Sequence, residues 1–152
     1  MRKQKRVYTC LIFVTGVLAC GGALADNCSG NWTNTTQSAD TIDLGDGHTL
    51  TTWFARGSVS SDNSPFNTVG ACGGYVLTTP DGKARVVYAC TRKNENGDSI
   101  SDSGSMEPGD DYGTWTQQGG TGVFAGKRWS GTWREINTDG QTTLGTFTGN
   151  CN

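Results

Sequence analysis

The segment spanning residues 112–134, YGTWTQQGGTGVFAGKRWSGTWR, constrains the fold more than any other part of the chain. Its two halves alternate large and small residues with the period of two that is typical of β-strands. The face that would carry the tryptophans consists of Gly113, Trp115, Gln117, Trp129, Gly131, Trp133 and Glu135. The intervening glycines permit the positive φ angles of a sharp, irregular turn. The segment therefore predicts two antiparallel strands, with Val123 and Phe124 plugging one end of the space that they enclose.

Gly-x-Trp, Gly-Gly-Thr-Gly-x-Phe-x-Gly and a second Gly-x-Trp follow one another at residues 113–115, 119–126 and 131–133. This hairpin resembles the signature hairpin of bacterial allene oxide cyclase-like and dirigent-like barrel proteins, which are of the calycin type. The chain departs from that pattern at Lys127, Arg128 and Trp129, where small residues are usual. The resemblance implies a barrel fold. Members of that family include cyclases and isomerases of oxidised lipids and proteins that steer the coupling of phenolic radicals. Other members have no assigned activity, so the resemblance implies the fold more strongly than a reaction.

The remaining sequence also favours an all-β domain. Gly, Thr, Ser and Asn dominate after residue 25, and short alternating runs are separated by turn residues, without helical periodicity. This composition is typical of a β-sandwich or β-barrel. The fold class that we predict is a small antiparallel β-barrel of about eight strands.

The N-terminus has the pattern of an export signal. Four basic residues lie within the first six positions, an apolar run covers residues 7–19, and Ala23-Leu24-Ala25 follows. The run is shorter than the ~20 residues that a membrane-spanning helix needs. We therefore predict a cleaved signal peptide over residues 1–25, a single domain over residues 26–152 and a periplasmic or secreted location. A lipoprotein anchored at Cys20 is the alternative.

The net charge excludes some partners. The chain has 12 Lys+Arg and 14 Asp+Glu, and cleavage after Ala25 would remove four basic residues and leave an excess of six negative charges. Nucleic acid binding requires clustered basic residues, and anionic membrane surfaces also attract basic segments. We therefore expect no nucleic acid partner and no docking on an anionic membrane surface. The short apolar run predicts no membrane span, and the sequence leaves a protein partner open.

The four cysteines that follow residue 25 are Cys28, Cys72, Cys90 and Cys151. An even number in an exported chain favours two disulfides. The sequence TPDG at residues 79–82 predicts a turn, and pairing of residues 79 and 83 places Cys72 directly opposite Cys90. Cys28 and Cys151 would then join the first and last strands, which are neighbours in a closed barrel. A zinc site is the alternative, but the chain lacks a Cys-x-x-Cys pair and a second histidine.

The lumen of such a barrel is the candidate ligand site. The side chains that we expect to bind a ligand there are Trp53, Tyr88, Trp115, Gln117, Trp129 and Trp133. Glu135 has the parity of Trp133, and near an apolar barrel mouth it would suit general acid–base catalysis. An ion pair with Arg134 or Arg128 is the alternative for this carboxylate. His48 is the only histidine, and we expect it in a solvated turn beside Asp46 rather than in a catalytic set.

Two polar segments have open interpretations. Residues 92–111 hold many carboxylates, and we expect a solvated acidic loop; residues 95–111 lack EF-hand spacing, and calcium binding there stays open. Residues 58–67 predict a polar loop that is either a lid over one barrel mouth or a connection.

Three functions fit the predicted barrel. The first is non-covalent binding of a small hydrophobic or aromatic ligand in the lumen. The second, implied by the resemblance, is a cofactor-free cyclase or isomerase of the allene oxide cyclase-like type. The third is a periplasmic interaction or inhibitor protein without a lumen ligand. A packed tryptophan core is the purely structural alternative. We expect no cofactor and no metal, and the sequence has no hydrolase or phosphate-binding motif.

Overall fold

The computed structural model describes residues 27–62 and 65–151; the predicted signal peptide and Cys20 lie outside these residues. The described chain forms eight strands and one short 3₁₀ helix. The strands are β1 Asn27–Gly45, β2 His48–Ser61, β3 Thr68–Thr78, β4 Ala84–Asn94, β5 Ser99–Met106, β6 Gly113–Gly120, β7 Ser130–Asp139 and β8 Thr142–Asn150, and the 3₁₀ helix is Gly122–Phe124, between β6 and β7. Within this part of the chain, no helix is long and apolar enough to cross a membrane.

The strands form one closed antiparallel barrel in chain order. Each strand pairs with the next, and β1 closes the barrel by pairing with β8 from Asn27 opposite Asn150 to Thr35 opposite Thr142. The predicted all-β barrel of about eight strands is thus confirmed. β1 continues past the end of β8, so that residues 36–45 pair only with β2.

Both predicted disulfides are present. Cys72 lies directly opposite Cys90 on β3 and β4, in the register predicted from the turn at residues 79–82. Cys28 on β1 is bonded to Cys151, which follows β8, so this disulfide fastens the seam of the barrel. Two disulfides in one small domain indicate that the protein folds in an oxidising compartment.

Each Gly-x-Trp motif places a glycine where a large ring crosses the neighbouring strand. Trp133 lies opposite Gly113, and a Cβ on that glycine would stand 2.3 Å from the indole ring. Trp115 lies opposite Gly131, where a Cβ would stand 2.7 Å from the indole nitrogen. Because a Cβ cannot approach a ring so closely, only glycine leaves room for these tryptophans inside the barrel.

The two ends of the barrel differ. We define the closed end as the end that carries the connections β2–β3, β4–β5 and β6–β7, and the open end as the end that carries the other four turns. At the closed end, Phe66, Phe124 and Trp129 are buried together, and Phe66 stacks on Trp129 with ring centroids 5.1 Å apart. This aromatic floor closes the barrel on one side because its rings fill the space between the strand ends.

Several expectations about the connections were wrong. Phe124 is fully buried, as predicted, but the neighbouring Val123 is 46% exposed and plugs nothing. Gly119 and Gly120 belong to β6 rather than to the turn, and β2 continues to Ser61, so the polar loop after it is shorter than predicted. The phenylalanine of this shorter loop is part of the aromatic floor.

The expected acidic loop at residues 92–111 was also wrong. The end of β4 and the whole of β5 lie within it. Asp102 on β5 is only 5% exposed and forms an ion pair with Arg92 on β4. In β5 a serine stands at every second position, from Ser99 to Ser105, and Asp102 is the only charged residue of the strand, so this period-two pattern is easily missed when the segment is read for charge alone.

Candidate functional site

A cavity of about 340 Å³ occupies the lumen above the aromatic floor. Its walls come from all eight strands, because side chains with lumen parity on neighbouring strands meet inside a closed barrel. The aromatic residues that line it are Trp32, Trp53, Phe66, Tyr88, Trp115, Trp133 and Phe147. Thr51, Val76 and Met106 also line it, and all three lie near open-end turns. The cavity therefore faces the open end.

Two indole rings and the phenol ring of the cavity are held by edge contacts with one another. Trp133 makes T-shaped contacts with Trp32 and Tyr88, with ring centroids 6.2 Å and 5.6 Å apart. The Trp133 indole nitrogen donates to the backbone carbonyl of Thr114 at 3.1 Å. Because edge-to-face geometry is the favoured arrangement of aromatic pairs, these rings form an ordered wall and hold their positions without a ligand.

Gln117 fastens the aromatic floor below this wall. Its side-chain amide donates to the backbone carbonyl of Phe124 at 2.8 Å, and its backbone N–H donates to the carbonyl of Trp129 at 2.8 Å. Trp115 bridges the floor and the wall, since it touches Phe66 and lines the cavity. The lower boundary of the cavity is thus held by hydrogen bonds as well as by packing.

A charged pair lies inside this apolar lumen. The Arg92 guanidinium donates to one carboxylate oxygen of Asp102, and both side chains line the cavity. The guanidinium also contacts the sulfur of Cys72 at 3.5 Å. Burial raises the pKa of Asp102, and the charge of Arg92 partly offsets that rise. The pair therefore brings polar groups to the cavity with little net charge.

Tyr88 stands beside this pair. Burial raises the pKa of its hydroxyl, and the negative charge of Asp102 raises it further. Among residues 27–62 and 65–151, neither the Tyr88 hydroxyl nor the second oxygen of Asp102 has a hydrogen-bond partner, and the indole nitrogen of Trp32 is buried without one. These groups can therefore orient a bound molecule by hydrogen bonding.

The predicted site residues fall into three places. Trp53, Tyr88, Trp115 and Trp133 line the cavity. Gln117 and Trp129 do not border it; they belong to the floor. Glu135 lines the mouth, where its side chain is exposed to solvent and accepts a hydrogen bond from the Thr138 hydroxyl.

The structure also shows the surroundings of Glu135 and the location of His48. Arg134 turns away from Glu135 and lies over the ring of Tyr112, with its guanidinium carbon 5.7 Å from the ring centroid. No ion pair involves Glu135 in the described part of the chain. His48 is the first residue of β2, directly after the turn at Asp46. It does not line the cavity.

Sequence reasoning missed four cavity residues of consequence. Trp32 belongs to a third Gly-x-Trp motif and follows the rule of the other two, since it lies opposite Gly145, where a Cβ would stand 2.2 Å from its ring. Phe66 follows a proline in a polar loop, where an isolated large apolar residue is a sign of burial. Arg92 on β4 and Asp102 on β5 are diagonal neighbours, since Arg92 pairs with Ile100 and Asp102 pairs with Cys90. This cross-strand register was the signal that could have revealed them.

The described residues contain no group of three or more His, Cys, Asp or Glu side chains that could hold a metal ion. The carboxylates of the open-end turns are spread around the barrel rim, and those of residues 95–98 lie at the closed end. The chemistry available in the cavity is therefore that of aromatic rings, one ion pair, a phenol and a carboxylate at the mouth.

No protein-family model matches the chain, and a search of curated proteins finds no match. Among solved structures, the pterocarpan synthase dirigent protein GePTS1 is similar with a TM-score of 0.51, at 14% identity and over 82% of each chain. The pterocarpan synthase dirigent protein PsPTS1 is similar with a TM-score of 0.50, at 12% identity, over 82% of this chain and 94% of that one. A pyocyanin demethylase follows with a TM-score of 0.49, at 17% identity, over 82% and 99%. At such low identity, the first two matches show the fold alone: the chain has a dirigent-like barrel.

Proposed function

We propose that the barrel binds a small apolar or aromatic molecule non-covalently in its lumen. The observation that carries this proposal is the open cavity of about 340 Å³, whose lining is predominantly apolar and includes seven aromatic rings. Its size falls at the lower end of the ~300–1,000 Å³ typical of small-molecule sites. Aromatic walls with a few polar groups are also typical of such sites.

A packed tryptophan core explains the floor but not the cavity. Phe124 and Trp129 are buried against each other and satisfy the structural role alone. Trp32 and Trp53 instead remain partly exposed, although each has a ring that lines the lumen. Rings that are held in place but are not covered by protein supply the contact area that a ligand would cover.

The proposal includes export. The two disulfides are in keeping with an exported chain, and we propose cleavage after Ala25 with release to the periplasm or the exterior. Attachment through a lipid on Cys20 is the alternative. Mass analysis of the protein from its own host separates the two, because a chain beginning at residue 26 and a chain carrying acyl groups on residue 20 differ in mass.

Binding can be tested with a neutral fluorophore and two matched variants. Val86 lines the cavity opposite Val76, whereas its neighbour Val87 points to the other face of β4. N-phenyl-1-naphthylamine, whose emission rises in apolar surroundings, should bind the native protein. Val86→Phe should weaken this binding by about tenfold or more because the added ring fills the cavity, and Val87→Phe should leave it unchanged. Equal binding by all three proteins, or none by the native protein, would contradict the proposal.

A second candidate is the cofactor-free cyclase or isomerase of the allene oxide cyclase-like type. The observation that favours it is the Arg92–Asp102 pair beside Tyr88, since a carboxyl whose pKa burial raises can exchange a proton with a bound substrate. Glu135 at the mouth is the other acid–base candidate. Catalysis would require one of them to lie within hydrogen-bond reach of the reacting atom.

The test of this second candidate uses a substrate found by screening epoxides and other cyclisable compounds. Glu135→Gln and Asp102→Asn each keep side-chain shape and remove one acid–base group. If one of them performs the proton transfer, its variant should lose about 100-fold or more in kcat while it still binds the compound. Unchanged turnover in both folded variants would eliminate both residues as acid–base groups.

A further inference from the structure

Charge is distributed unequally between the two ends of the barrel. The open-end turns and adjoining strand ends comprise residues 38–50, 77–86, 106–113 and 134–143. The nine carboxylates of this rim are Asp40, Asp43, Asp46, Asp81, Glu107, Asp110, Asp111, Glu135 and Asp139, and its basic residues are Lys83, Arg85 and Arg134. The closed-end connections carry Asp62, Glu95 and Asp98 together with Lys93, Lys127 and Arg128. The rim therefore has an excess of six negative charges, whereas the closed end is balanced.

Ion pairing occupies only two of the nine rim carboxylates. Lys83 is paired with Asp81 at 3.1 Å, and Arg85 is paired with Glu107 at 2.5 Å. Arg134 lies over the ring of Tyr112. Among the described residues, the other seven rim carboxylates are in no ion pair. An unneutralised charge of one sign around a low-dielectric cavity concentrates counter-charged solutes at its mouth.

The lumen itself carries no net positive charge. Within the described part of the chain, Arg92 is the only basic residue that lines the cavity, and it is paired with Asp102. Glu135 adds an unpaired carboxylate at the mouth. An anionic ligand would thus pass an acidic rim and find no free cation, whereas a cationic ligand would be attracted at both stages.

The walls suit the same ligand class. Trp32, Trp53, Tyr88 and Trp133 present rings to the cavity, and the faces of Trp and Tyr attract cations through their quadrupoles. We propose that the lumen ligand is an organic cation, an ammonium compound with an apolar body. This inference rests on the proposed ligand-binding function and narrows its ligand class.

Solubility is the competing explanation of the acidic rim, since negative charge keeps exported proteins in solution. Solubility alone does not require the charge to be concentrated around the cavity, and it makes no demand on the binding of small molecules. The two explanations therefore differ in whether ligand charge affects affinity.

The decisive experiment compares three probes of similar size: phenyltrimethylammonium, its uncharged isostere tert-butylbenzene, and benzoate. Tryptophan fluorescence or ligand-observed NMR would measure their dissociation constants at about 25 mM and about 500 mM salt, which changes the screening length severalfold. The cation should bind at least about threefold more tightly than the isostere at low salt, with benzoate weakest. The difference should shrink at high salt because part of it is long-range.

Variants locate the effect. Glu135→Gln should weaken binding of the cation severalfold and leave the affinity for the isostere unchanged. A loss of structure would instead weaken the binding of both probes. Asp110→Asn with Asp111→Asn removes two rim charges and should weaken cation binding further at low salt. The matched control, Asp62→Asn with Glu95→Gln, removes two charges at the closed end and should change nothing.

The outcomes separate this inference from the function on which it rests. Binding of tert-butylbenzene equal to or tighter than that of the cation would overturn the organic-cation proposal and leave a ligand-binding lumen in place. Absence of binding by all three probes and by N-phenyl-1-naphthylamine would overturn both. Cation preference that Glu135→Gln does not reduce would overturn the role assigned to the mouth carboxylate.

Discussion

The closed and open ends of this barrel divide stability from recognition. At the closed end, Phe66, Phe124 and Trp129 are buried against one another, and the Cys28–Cys151 disulfide fastens the seam beside them. At the open end, the strands end in exposed turns, and Ile136 is 59% exposed although it lies within β7. A small barrel can keep an unfilled lumen because most of its hydrophobic burial is concentrated at one end.

This arrangement has a consequence for variation. Residues at the floor are constrained by packing on all sides, whereas residues at the mouth contact mainly solvent and the cavity. Substitutions at the closed end should therefore change the free energy of unfolding, and substitutions at the open end should change ligand affinity.

The largest effect is expected from the seam disulfide. The Cys28–Cys151 bond closes a loop with a sequence separation of 123, against 18 for Cys72–Cys90. In the chain-entropy model, closing these loops stabilises the folded state by about 5 kcal/mol and about 3 kcal/mol respectively. Urea denaturation of Cys28→Ala/Cys151→Ala and of Cys72→Ala/Cys90→Ala should show the larger loss for the first. The reverse order would contradict a barrel stabilised chiefly at its seam.

The next effect concerns the floor. Phe124→Ala removes a fully buried ring and should lower the free energy of unfolding by about 3–5 kcal/mol. The adjacent Val123→Ala and the open-end Ile136→Ala remove exposed side chains and should change it by less than about 0.5 kcal/mol. Similar losses at all three positions would mean that the two ends do not differ in packing.

A smaller effect is expected from the lumen ion pair. Arg92→Leu leaves the buried carboxylate of Asp102 without its partner. Because this carboxylate can then take up a proton, we expect the free energy of unfolding to fall by about 3 kcal/mol, the lower end of the range for broken buried pairs. Arg92→Leu with Asp102→Leu removes both charges and should recover much of that loss. A double variant as unstable as the single one would show that the pair stabilises the barrel by itself.

The sequence predicted those parts of the fold that depend on local register. The turn at residues 79–82 fixes the pairing of β3 with β4, and from it the position of Cys72 opposite Cys90 follows by counting. The burial of Trp115 and Trp133 follows in the same way from the period of two in β6 and β7. Local rules sufficed because each of these pairings crosses one short connection.

The parts that could not be predicted depend on irregularities or on distant strands. A β-bulge between Glu135 and Asn137 changes the pairing of β7 with β8, so that β7 beyond Trp133 is exposed despite its alternating sequence. Asp102 is buried because β5 pairs with β4 on one side and β6 on the other. Nothing in a single segment reveals a bulge or a burial that two neighbouring strands create.

The smallest expected effect is a difference in pH dependence between Asp81, a rim carboxylate, and Asp102, a lumen carboxylate. Hydrogen bonds from Thr79 and Lys83 lower the pKa of Asp81 to about 2, from an ordinary value of 3.8. Its contribution to stability is therefore complete above the unfolded pKa and is lost as the pH falls towards 2. Burial raises the pKa of Asp102 above 3.8. Between the unfolded pKa and the raised folded pKa of Asp102, the folded chain binds more protons than the unfolded chain. Stability therefore falls as the pH rises through this interval.

Carboxyl ¹³C NMR titration should therefore show Asp81 changing at a lower pH than Asp102. In urea denaturation at a series of pH values, Asp81→Asn should flatten the loss of stability below pH ~4, and Asp102→Asn should flatten the decline above it. An Asp102 carboxyl that titrates below its ordinary value would mean that Arg92, and not burial, governs its proton affinity. In that case the lumen would hold a fixed ion pair, and Asp102 could no longer serve as a proton donor to a bound molecule.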